Sequence, residues 1–233
     1  YMAPALDIEK PENFDRRYFK LPENQFTFLF VFDFKSCFAR KNPLGCIQAF
    51  QNAFSNANEG VGLVIKSMDG DQYPKEFKLL NSAMRNDPRV TIINTTYTPD
   101  EIIGLMNVCD VFLSLHRSEG IGFSIAQSML LCKPVIATNY SGNTDFTRPD
   151  NSCLVDYKLI GVKKGEYPYS NGQVWADPDL DQAASYMRKL VEDDTYRNTL
   201  AKAGCSYIKT NHNSETVGRN YRSRLIELGL LDT

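Results

Sequence analysis

The sequence lacks the close cysteine pairs that metal-binding and redox motifs require. No two of its six cysteines lie within eight positions of each other, which excludes a CxxC zinc ribbon or a thioredoxin motif. Several cysteines stand among apolar residues, as Cys109 does in Val108–Val111 and Cys132 does in Leu131–Pro134. We therefore expect buried, reduced thiols that pack as small hydrophobic residues in a cytoplasmic protein.

Long hydrophobic runs are also missing from the sequence. The longest apolar stretch lies near Phe26–Phe32, far short of the roughly 18 residues that cross a bilayer. The segment Tyr1–Lys10 contains acidic side chains and no apolar centre, so it does not have the pattern of a signal peptide. We expect no membrane span in this chain.

Neither sign of charge is in excess. The chain has 26 Lys and Arg against 28 Asp and Glu, a formal net charge of −2. This balance excludes a globally basic nucleic-acid-binding protein, and we expect no nucleic-acid partner. With 14 glycines, 11 prolines and 42% hydrophobic residues, the composition is that of a folded protein and not of a fibre or a disordered chain. A length of 233 residues allows one large domain or two small ones.

Strand-like and helix-like segments alternate along the chain. The run Phe26–Phe32 is almost continuously apolar, which is typical of a strand buried on both faces of a parallel sheet. The segment Thr98–Glu101 is a capping box with proline at the first helical position, so it predicts the start of a helix. The predicted strands are 26–32, 61–65, 90–93, 110–115, 134–138 and, as a sixth, 153–155. The predicted helices begin at Pro43 and after Thr98, cover 74–85 and 122–132, and include three closing helices around 180–190, 196–207 and 217–228.

This alternation predicts an α/β fold with a doubly wound parallel sheet. In such sheets ligands bind beyond the carboxyl ends of the strands, so the loops that follow strands are the places to search for chemistry. Residues 1–24 are polar and contain three prolines, and we interpret them as a linker or docking arm. Residues 25–210 form the α/β domain, and 211–233 form a C-terminal helix that packs on it or on a missing partner half.

Two polar segments carry weaker interpretations. Residues 158–173 are interpreted as a surface loop, with a lid or a partner surface as the alternative. His212 lies in the polar turn Asn211–Asn213, where we expect it to be solvated.

The loop after the fourth strand is the most informative segment. It runs from His116 to Ser124 with the letters HRSEGIGFS. Its glycines, Gly120 and Gly122, allow a close approach of the backbone to a ligand. A helix that begins near Gly122 directs free N–H groups outward, which suits a phosphate or diphosphate. Read by itself, the loop binds a phosphorylated polyhydroxy compound or is only a glycine-rich turn that caps a helix.

Side chains around this loop supply the remaining candidate contacts. Phe123, Ser124 and Gln127 lie on a helix face other than the apolar core stripe, so they can line a cleft. The Glu119 carboxylate is placed to accept hydrogen bonds from ligand hydroxyls. His116 either contacts a sugar or donates to a loop carbonyl.

Several ordered segments give the chain a family resemblance. The segment Ser118–Met129, SEGIGFSIAQSM, followed by Lys133–Thr138, KPVIAT, resembles the signature of the retaining group 1 glycosyltransferases (family four, GT-B fold). The match continues in Tyr140–Phe146, in Arg40–Pro43 with the following Ala49 and Phe50, and in Trp175–Pro178. The resemblance covers roughly residues 25–210 and implies the C-terminal, donor-binding half of a GT-B enzyme.

The resemblance also implies roles for individual residues. Glu119 matches the first family glutamate, which contacts hydroxyls of the donor sugar. The second glutamate, which usually holds the ribose, is replaced here by Gln127. An amide still exchanges hydrogen bonds with a ribose but loses the charge-assisted bond. Lys41 matches the lysine that stabilises the diphosphate leaving group.

This chain departs from the family pattern before that lysine. The usual glycine and arginine are not evident, because the region reads Asp33–Ser36, DFKS. Arg40 is therefore a second candidate cation, with a solvated helix-entry charge as the alternative. Lys66, expected at the end of the second strand, also reaches phosphate or is an ordinary strand-end lysine. Ser36 is a further candidate beside these cations.

Together these features predict the donor-binding domain of a retaining glycosyltransferase. The expected donor is a nucleoside diphosphate sugar with UDP or GDP. We expect no cofactor and no metal, because the resemblance implies metal independence. The acceptor, a glycan or a lipid-linked sugar of polysaccharide or lipopolysaccharide biosynthesis, is expected to bind through a missing N-terminal domain.

The opening residue Tyr1 and the polar arm fit a cut end of a longer chain. We expect the whole protein to be cytoplasmic, with peripheral contact at the inner face of the membrane. The alternatives are a nucleotide-sugar-binding module without turnover and a related GT-B nucleotide-sugar epimerase.

Overall fold

Six parallel strands form the central sheet of the protein, in the order β3-β2-β1-β4-β5-β6. The computed structural model describes residues 3–9, 11, 13–56, 60–84 and 87–232. The strands of the sheet are Phe26–Val31 (β1), Val61–Ser67 (β2), Val90–Asn94 (β3), Val111–Ser114 (β4), Val135–Thr138 (β5) and Cys153–Val155 (β6). All six predicted strands are therefore confirmed, with ends that differ by at most two residues.

Helices cover both faces of this sheet. They are Phe38–Lys41 (α1), Pro43–Ala53 (α2), Pro74–Ala83 (α3), Pro99–Val108 (α4), Phe123–Leu130 (α5), Leu180–Glu192 (α6), Asp194–Asn211 (α7) and Ser214–Glu227 (α8). Apolar side chains of α2, α3 and α6 pack in one buried cluster, and those of α4, α5 and α7 pack in another. The doubly wound α/β prediction is confirmed. No helix in the described ranges combines the length and the apolar content that a membrane crossing needs.

The aromatic first strand supplies both layers of the core. Phe28 and Phe30 belong to the first cluster, Leu29 belongs to the second, and all three are at most 1% exposed. Successive side chains of a strand point to opposite faces, so a strand covered on both faces must be apolar at every position. This is the reason that the continuous apolar run predicted the strand correctly.

Strand order places β1 beside β4 at the middle of the sheet. The chain leaves β1 toward β2 and β3 on one side, and from β3 it crosses back to β4 on the other side. A crevice opens at such a switch point, beyond the carboxyl ends of the two strands. The segments after β1 and after β4 therefore meet there, and they carry Lys41 and Glu119.

Several local predictions are corrected by the structure. The helix at Pro74 is described to Ala83, and its predicted end at Arg85 lies outside the described residues. β2 extends to Ser67, so Lys66 lies inside the strand and not at its end. The predicted surface loop 158–173 begins as a strand, because Tyr157–Gly161 (β7) pairs antiparallel with Val174–Pro178 (β8), and residues 162–173 form the loop that connects the two strands.

The described part of the N-terminal segment lies along the domain. Leu6, Phe19 and Leu21 are buried in the second core cluster. The Leu6 amide donates to the carbonyl of His212 at 2.7 Å. His212 is 4% exposed, so the expectation that it is solvated is wrong, because the segment covers the polar turn in which it lies.

The cysteine expectation holds only in part. Cys46, Cys109 and Cys153 are buried free thiols, and Cys37 is a half-buried one. Cys132 and Cys205 are joined by a disulfide that links the end of α5 to α7. The expectation of reduced thiols is therefore wrong for this pair, since packing of the two helices brings together cysteines that are 73 residues apart.

Candidate functional site

Hydrogen bonds to backbone carbonyls fasten α1 to the loop after β4. Asn42 has a left-handed conformation and caps both the end of α1 and the start of α2. Its side-chain nitrogen Nδ2 donates to the carbonyl of Leu115 at 2.8 Å. The Arg117 amide donates to the carbonyl of Arg40 at 2.8 Å. The Arg117 guanidinium donates to the carbonyl of Ala39 at 3.1 Å. Three bonds thus hold the two site-bearing segments together.

Lys41, Arg40 and Glu119 form a partly buried charge cluster at this junction. The Lys41 ammonium donates to Oε1 of Glu119, and Arg40 Nη1 lies 3.4 Å from Oε2. The three side chains are between 12% and 16% exposed. Arg40 also donates to the carbonyls of Ser118, at 2.7 Å, and Ser36, at 3.0 Å. The cluster carries a net charge of +1, which suits an anionic ligand.

The pKa of Glu119 reflects two opposing influences. Burial by itself raises the pKa of this carboxyl, but attraction to Lys41, with smaller effects of His116 and Arg40, lowers it below the ordinary value. Glu119 is therefore ionised near neutral pH. An ionised carboxylate can only accept hydrogen bonds, which suits contact with sugar hydroxyls.

The loop before the 3-10 turn Gly142–Asp145 holds the backbone of Glu119. The Glu119 amide donates to Ser141 Oγ at 2.7 Å, and the Gly142 amide donates to the Glu119 carbonyl at 3.1 Å. A Cβ atom on Gly142 would lie 2.0 Å from the carbonyl oxygen of Gly120. Only glycine permits this approach, so the segment after β5 supports the position of Glu119.

His116 is a structural link and not a lining residue. Its ring is 0% exposed, with Nδ1 3.0 Å from Ser114 Oγ. Nε2 lies 3.2 Å from the Tyr140 carbonyl and 3.0 Å from Asn143 Oδ1. The interpretation that His116 meets a loop carbonyl is the one that the structure supports. Burial lowers the pKa of His116, so the ring is neutral at pH 7.

The N-terminus of α5 faces the same crevice. Gly122, at φ +86°, is its N-cap and offers no side-chain hydrogen bond to the first turn. The first amide groups of the helix are consequently available to an anion. Beside them lies a cavity of about 390 Å³. Its lining includes Ser36, Arg40, Lys41, Glu119, Gly120, Gly122, Phe123 and Ser124.

A second cavity of about 710 Å³ adjoins the first. Lys66, Tyr97 and Gln127 line it, together with Ile8 and Glu9 of the N-terminal segment. The two cavities share the lining residues Val31, Ser36, Lys41 and Ser124. They are therefore neighbouring parts of one cleft, with Lys41 and Ser124 at their junction.

Lys66 lies at the wall of the larger cavity with its ammonium engaged by backbone. Nζ donates to the carbonyls of Ser67, at 2.8 Å, and Thr95, at 2.5 Å, and lies 4.8 Å from the centre of the Tyr97 ring. Burial lowers its pKa to about 8. The alternative interpretation is an ordinary strand-end lysine, which would be exposed. Lys66 is only 2% exposed, so this interpretation does not fit.

The structure brings together every site residue that the sequence predicted except His116. The predicted residues that follow β1 and β4 line the smaller cavity, and Lys66 and Gln127 line the larger one. Sequence reasoning missed Ile8 and Glu9, for which no local motif exists. It also assigned no role to Ser141, although the matched segment Tyr140–Phe146 contains it.

Comparisons with known proteins identify a family for the chain. A family model described as glycosyl transferases group 1 matches residues 11–206. Among curated protein sequences, none matches the chain.

Solved structures share the fold at low identity. Alr3699/HepE of Anabaena, determined with UDP and glucose, is 18% identical, with a TM-score of 0.64, and the match covers 91% of this chain and 51% of that one. WaaG, described as a glycosyltransferase involved in lipopolysaccharide biosynthesis, is 15% identical, with a TM-score of 0.67 and coverages of 94% and 54%. The C-terminal domain of LpcC, a group 1 glycosyl transferase family protein of Francisella tularensis, is 16% identical, with a TM-score of 0.61 and coverages of 91% and 96%.

These likenesses establish the fold. The sheet and its flanking helices are the Rossmann-like α/β architecture of a GT-B glycosyltransferase domain. The chain spans about half the length of HepE and WaaG and nearly the whole of the LpcC domain.

Proposed function

The chain belongs to the group 1 glycosyltransferases, and on that premise we propose that it is the donor-binding half of a retaining enzyme. The observation that carries the proposal is the cluster of Lys41, Arg40 and Glu119 beside the N-terminus of α5. This cluster places two cations, free helix amides and one hydroxyl acceptor around a single cavity. A nucleoside diphosphate sugar presents the matching set of groups: an anionic diphosphate joined to a polyhydroxy ring.

The two adjoining cavities divide the donor between them. The diphosphate lies between Lys41 and the first amides of α5, where positive charge from side chains and helix dipole adds. The sugar lies in the smaller cavity, with its hydroxyls donating to Glu119. The nucleoside lies in the larger cavity, where Tyr97 offers a ring face and Gln127 offers an amide to the ribose.

Charge stabilisation is the chemical contribution of this half. When the bond between the sugar carbon and the diphosphate oxygen breaks, the electron pair goes to the diphosphate, and negative charge develops there. Lys41, with Arg40 behind it, is fixed in place to stabilise that charge. The oxygen of the acceptor hydroxyl then bonds to the same sugar carbon, its proton passes to the departing diphosphate oxygen, and the configuration of that carbon is retained.

The remaining features of the proposal concern the whole protein. The acceptor is a glycan or a lipid-linked sugar, and the description of WaaG supports lipopolysaccharide or a related polysaccharide as the product class. A second domain completes the cleft and makes most of the contacts with the acceptor, so the chain by itself binds donor without transferring sugar. We place the protein in the cytoplasm, with peripheral contact at the inner face of the membrane, and assign the donor site no metal or other cofactor.

A binding module without turnover is the second candidate. Two observations favour it: Gln127 in place of a carboxylate, and the segment Asp33–Ser36 where a glycine and an arginine are usual. Both changes weaken contacts with the nucleotide without removing the Lys41 cluster. Turnover by the full-length protein separates this candidate from the enzyme.

Calorimetric titration of the chain with UDP-, GDP- and ADP-sugars tests the donor site. We expect one nucleotide to bind, and Lys41→Ala to weaken that binding at least about tenfold, the effect of losing about 1.4 kcal/mol. Lys35→Ala is the matched control, because Lys35 lies on the neighbouring turn, is 55% exposed and pairs with Asp69. Absence of binding at millimolar nucleotide, or equal losses in both variants, contradicts the proposal.

A further inference from the structure

The β7–β8 hairpin carries an aromatic surface that the donor site does not use. Tyr169 is 96% exposed, Tyr167 is 44% exposed and Val174 is 52% exposed. Exposed apolar groups that cluster on one surface often mark a binding site. The hairpin is also firmly placed, so this surface has a defined position relative to the cleft.

Three contacts fix the hairpin against the donor site. The Cys37 thiol donates to the Glu166 carbonyl at 2.7 Å, immediately before α1. The Ala176 amide donates to the carbonyl of Arg117 at 3.0 Å, and the Arg117 guanidinium pairs with Asp177 at 3.1 Å. The hairpin is therefore tied to both segments that carry Lys41 and Glu119.

A pocket of about 330 Å³ lies between the hairpin and α1. Tyr167, Tyr169 and Trp175 supply aromatic walls, and Arg40, Ser118 and Gln173 supply polar ones. Small-molecule sites have volumes of roughly 300–1,000 Å³, so this pocket accommodates one sugar ring. Arg40 also lines the donor-sugar cavity, so this cavity and the aromatic pocket share one side chain.

We propose that this aromatic pocket, which shares Arg40 with the donor-sugar cavity, binds a neutral pyranose unit of the acceptor glycan. The inference rests on the proposed function for the identity of the acceptor. Aromatic side chains present an apolar face to the C–H groups of a sugar, while their polar ends and Gln173 exchange hydrogen bonds with its hydroxyls. Among the described residues that line the pocket, Arg40 is the only charged one, and it is already paired with Glu119, so an uncharged ring fits better than an anionic one.

Trp175 provides an independent observation. Its ring is 3% exposed, and its indole N–H has no hydrogen-bond partner among the described residues. The ring of Tyr167 meets the indole edge-on, with 6.5 Å between centroids. A ligand hydroxyl that reaches the indole nitrogen from this pocket satisfies a buried donor.

Trp175 is the only tryptophan of the sequence, so its indole N–H gives one assignable NMR signal. The 233-residue chain, labelled with nitrogen-15, is titrated with short oligosaccharides of glucose, galactose, mannose and N-acetylglucosamine. We expect at least one series to shift the indole signal in a saturable manner with a Kd of about 1 mM. Tyr169→Ala weakens this binding about fivefold or more, whereas Tyr221→Ala, at a half-exposed tyrosine of α8, does not.

The outcomes separate this inference from the donor site. Saccharide binding that persists in Lys41→Ala supports the pocket whether or not the donor site is correct, since Lys41 does not line it. An indole signal unmoved by every oligosaccharide at about 50 mM, far above a millimolar Kd, overturns the proposal. Equal losses in Tyr169→Ala and Tyr221→Ala overturn it too. Binding of anionic vesicles that depends on Tyr169, without any saccharide effect, assigns the hairpin to a lipid surface instead.

Discussion

The Lys41 ammonium and the Glu119 carboxylate are paired in the cleft, although 78 residues separate them in the chain. The pair has a direct consequence for binding, because the carboxylate partly neutralises the cation that a diphosphate requires. A donor must share Lys41 with Glu119 or displace it. In the proposed donor complex, sugar hydroxyls that donate to Glu119 compensate for this competition, so we expect the pair to favour a complete nucleotide sugar over a free nucleotide.

Removal of the Glu119 charge should separate its competition with the diphosphate for Lys41 from its hydrogen bonding to the sugar. In Glu119→Gln the amide keeps the size of the side chain and its hydrogen-bonding capacity but no longer neutralises Lys41 and Arg40. We expect free UDP or GDP to bind as tightly as before or several-fold more tightly, a gain of up to about 1 kcal/mol. The preference for the nucleotide sugar over the free nucleotide should disappear. Calorimetry with both ligands measures the difference.

Turnover gives the second readout for this variant. Under the proposed transferase activity, Glu119→Gln in the full-length protein should lower kcat at least about tenfold, since a preorganised group around the reacting sugar is lost. A Glu119→Gln chain that loses nucleotide affinity to the extent of Lys41→Ala would show that the carboxylate itself orders the site, contrary to the competition described here.

Nucleotide affinity should depend on pH through Lys66. Burial lowers the pKa of Lys66 to about 8, so the ammonium loses its proton as the pH rises through that value. A bound anion stabilises the protonated form, and therefore affinity for UDP-glucose should fall as the pH increases from about 7 to about 9. UDP-glucose suits the titration because its diphosphate, esterified at both ends, does not change charge in this range.

Lys66→Met is the informative comparison, because it keeps the length of the side chain and removes the charge. The variant should bind the nucleotide more weakly at pH 7 and with little dependence on pH over the same window. A pH profile that is identical in the parent chain and in Lys66→Met would mean that Lys66 serves the fold and does not contact the donor.

His116 should matter for stability and not for direct ligand contact. His116→Ala removes a buried ring and leaves partners such as Ser114 Oγ and Asn143 Oδ1 without it. We expect the free energy of unfolding to fall by about 2–4 kcal/mol in urea denaturation. Ser114→Ala, which removes a single partner, should cost about 1 kcal/mol.

His116 should also make the free energy of unfolding depend on pH below neutrality. Because burial lowers its folded-state pKa below the ordinary 6.5, the unfolded chain takes up the proton first. The free energy of unfolding should therefore decrease as the pH falls below about 6.5, and less steeply in His116→Ala. A variant that is as stable as the parent chain at pH 7 contradicts the role of His116 as a link between β4 and the Asn143 turn.

Oxidation state should change the stability of the chain through Cys132 and Cys205. Alkylation under denaturing conditions, followed by mass measurement, should label the four free thiols and leave this pair unlabelled until reduction. Closure of a loop of 73 residues corresponds to about 4 kcal/mol of chain entropy in the unfolded state. Cys205→Ser, with the thiols reduced in the parent chain as control, measures the contribution, and six labelled thiols before reduction contradict the pairing.

Local patterns were sufficient wherever one element depends on its own residues. The capping box at Thr98 and Glu101 is present with both of its hydrogen bonds, because its partners are three residues apart. The apolar run at β1 predicted a strand covered on both faces, since burial of every position leaves no other assignment. The glycine-rich loop predicted the start of α5 at Gly122 for the same local reason.

The errors fall where distant segments meet. His212 reads as solvated from its polar neighbours, yet the segment around Leu6 covers it. Lys66 reads as a strand end, yet the hydrogen bonds of β2 to β3 continue to Ser67. The composition of the polar segment 158–173 does not predict the hairpin at its ends, because cross-strand contacts depend on register and not on composition.

The sequence by itself determined the order of strands and helices and the chemical character of the loops after β1 and β4, because periodicity, capping and glycine placement act over a few residues. Only the tertiary structure decided that Lys41 meets Glu119, that Glu9 borders the larger cavity, and that an aromatic pocket adjoins Arg40. Each of these depends on the strand order that sets β1 beside β4 and on the docking of two peripheral segments. Such contacts join residues far apart in the chain, and packing of the whole sheet and its helices selects them.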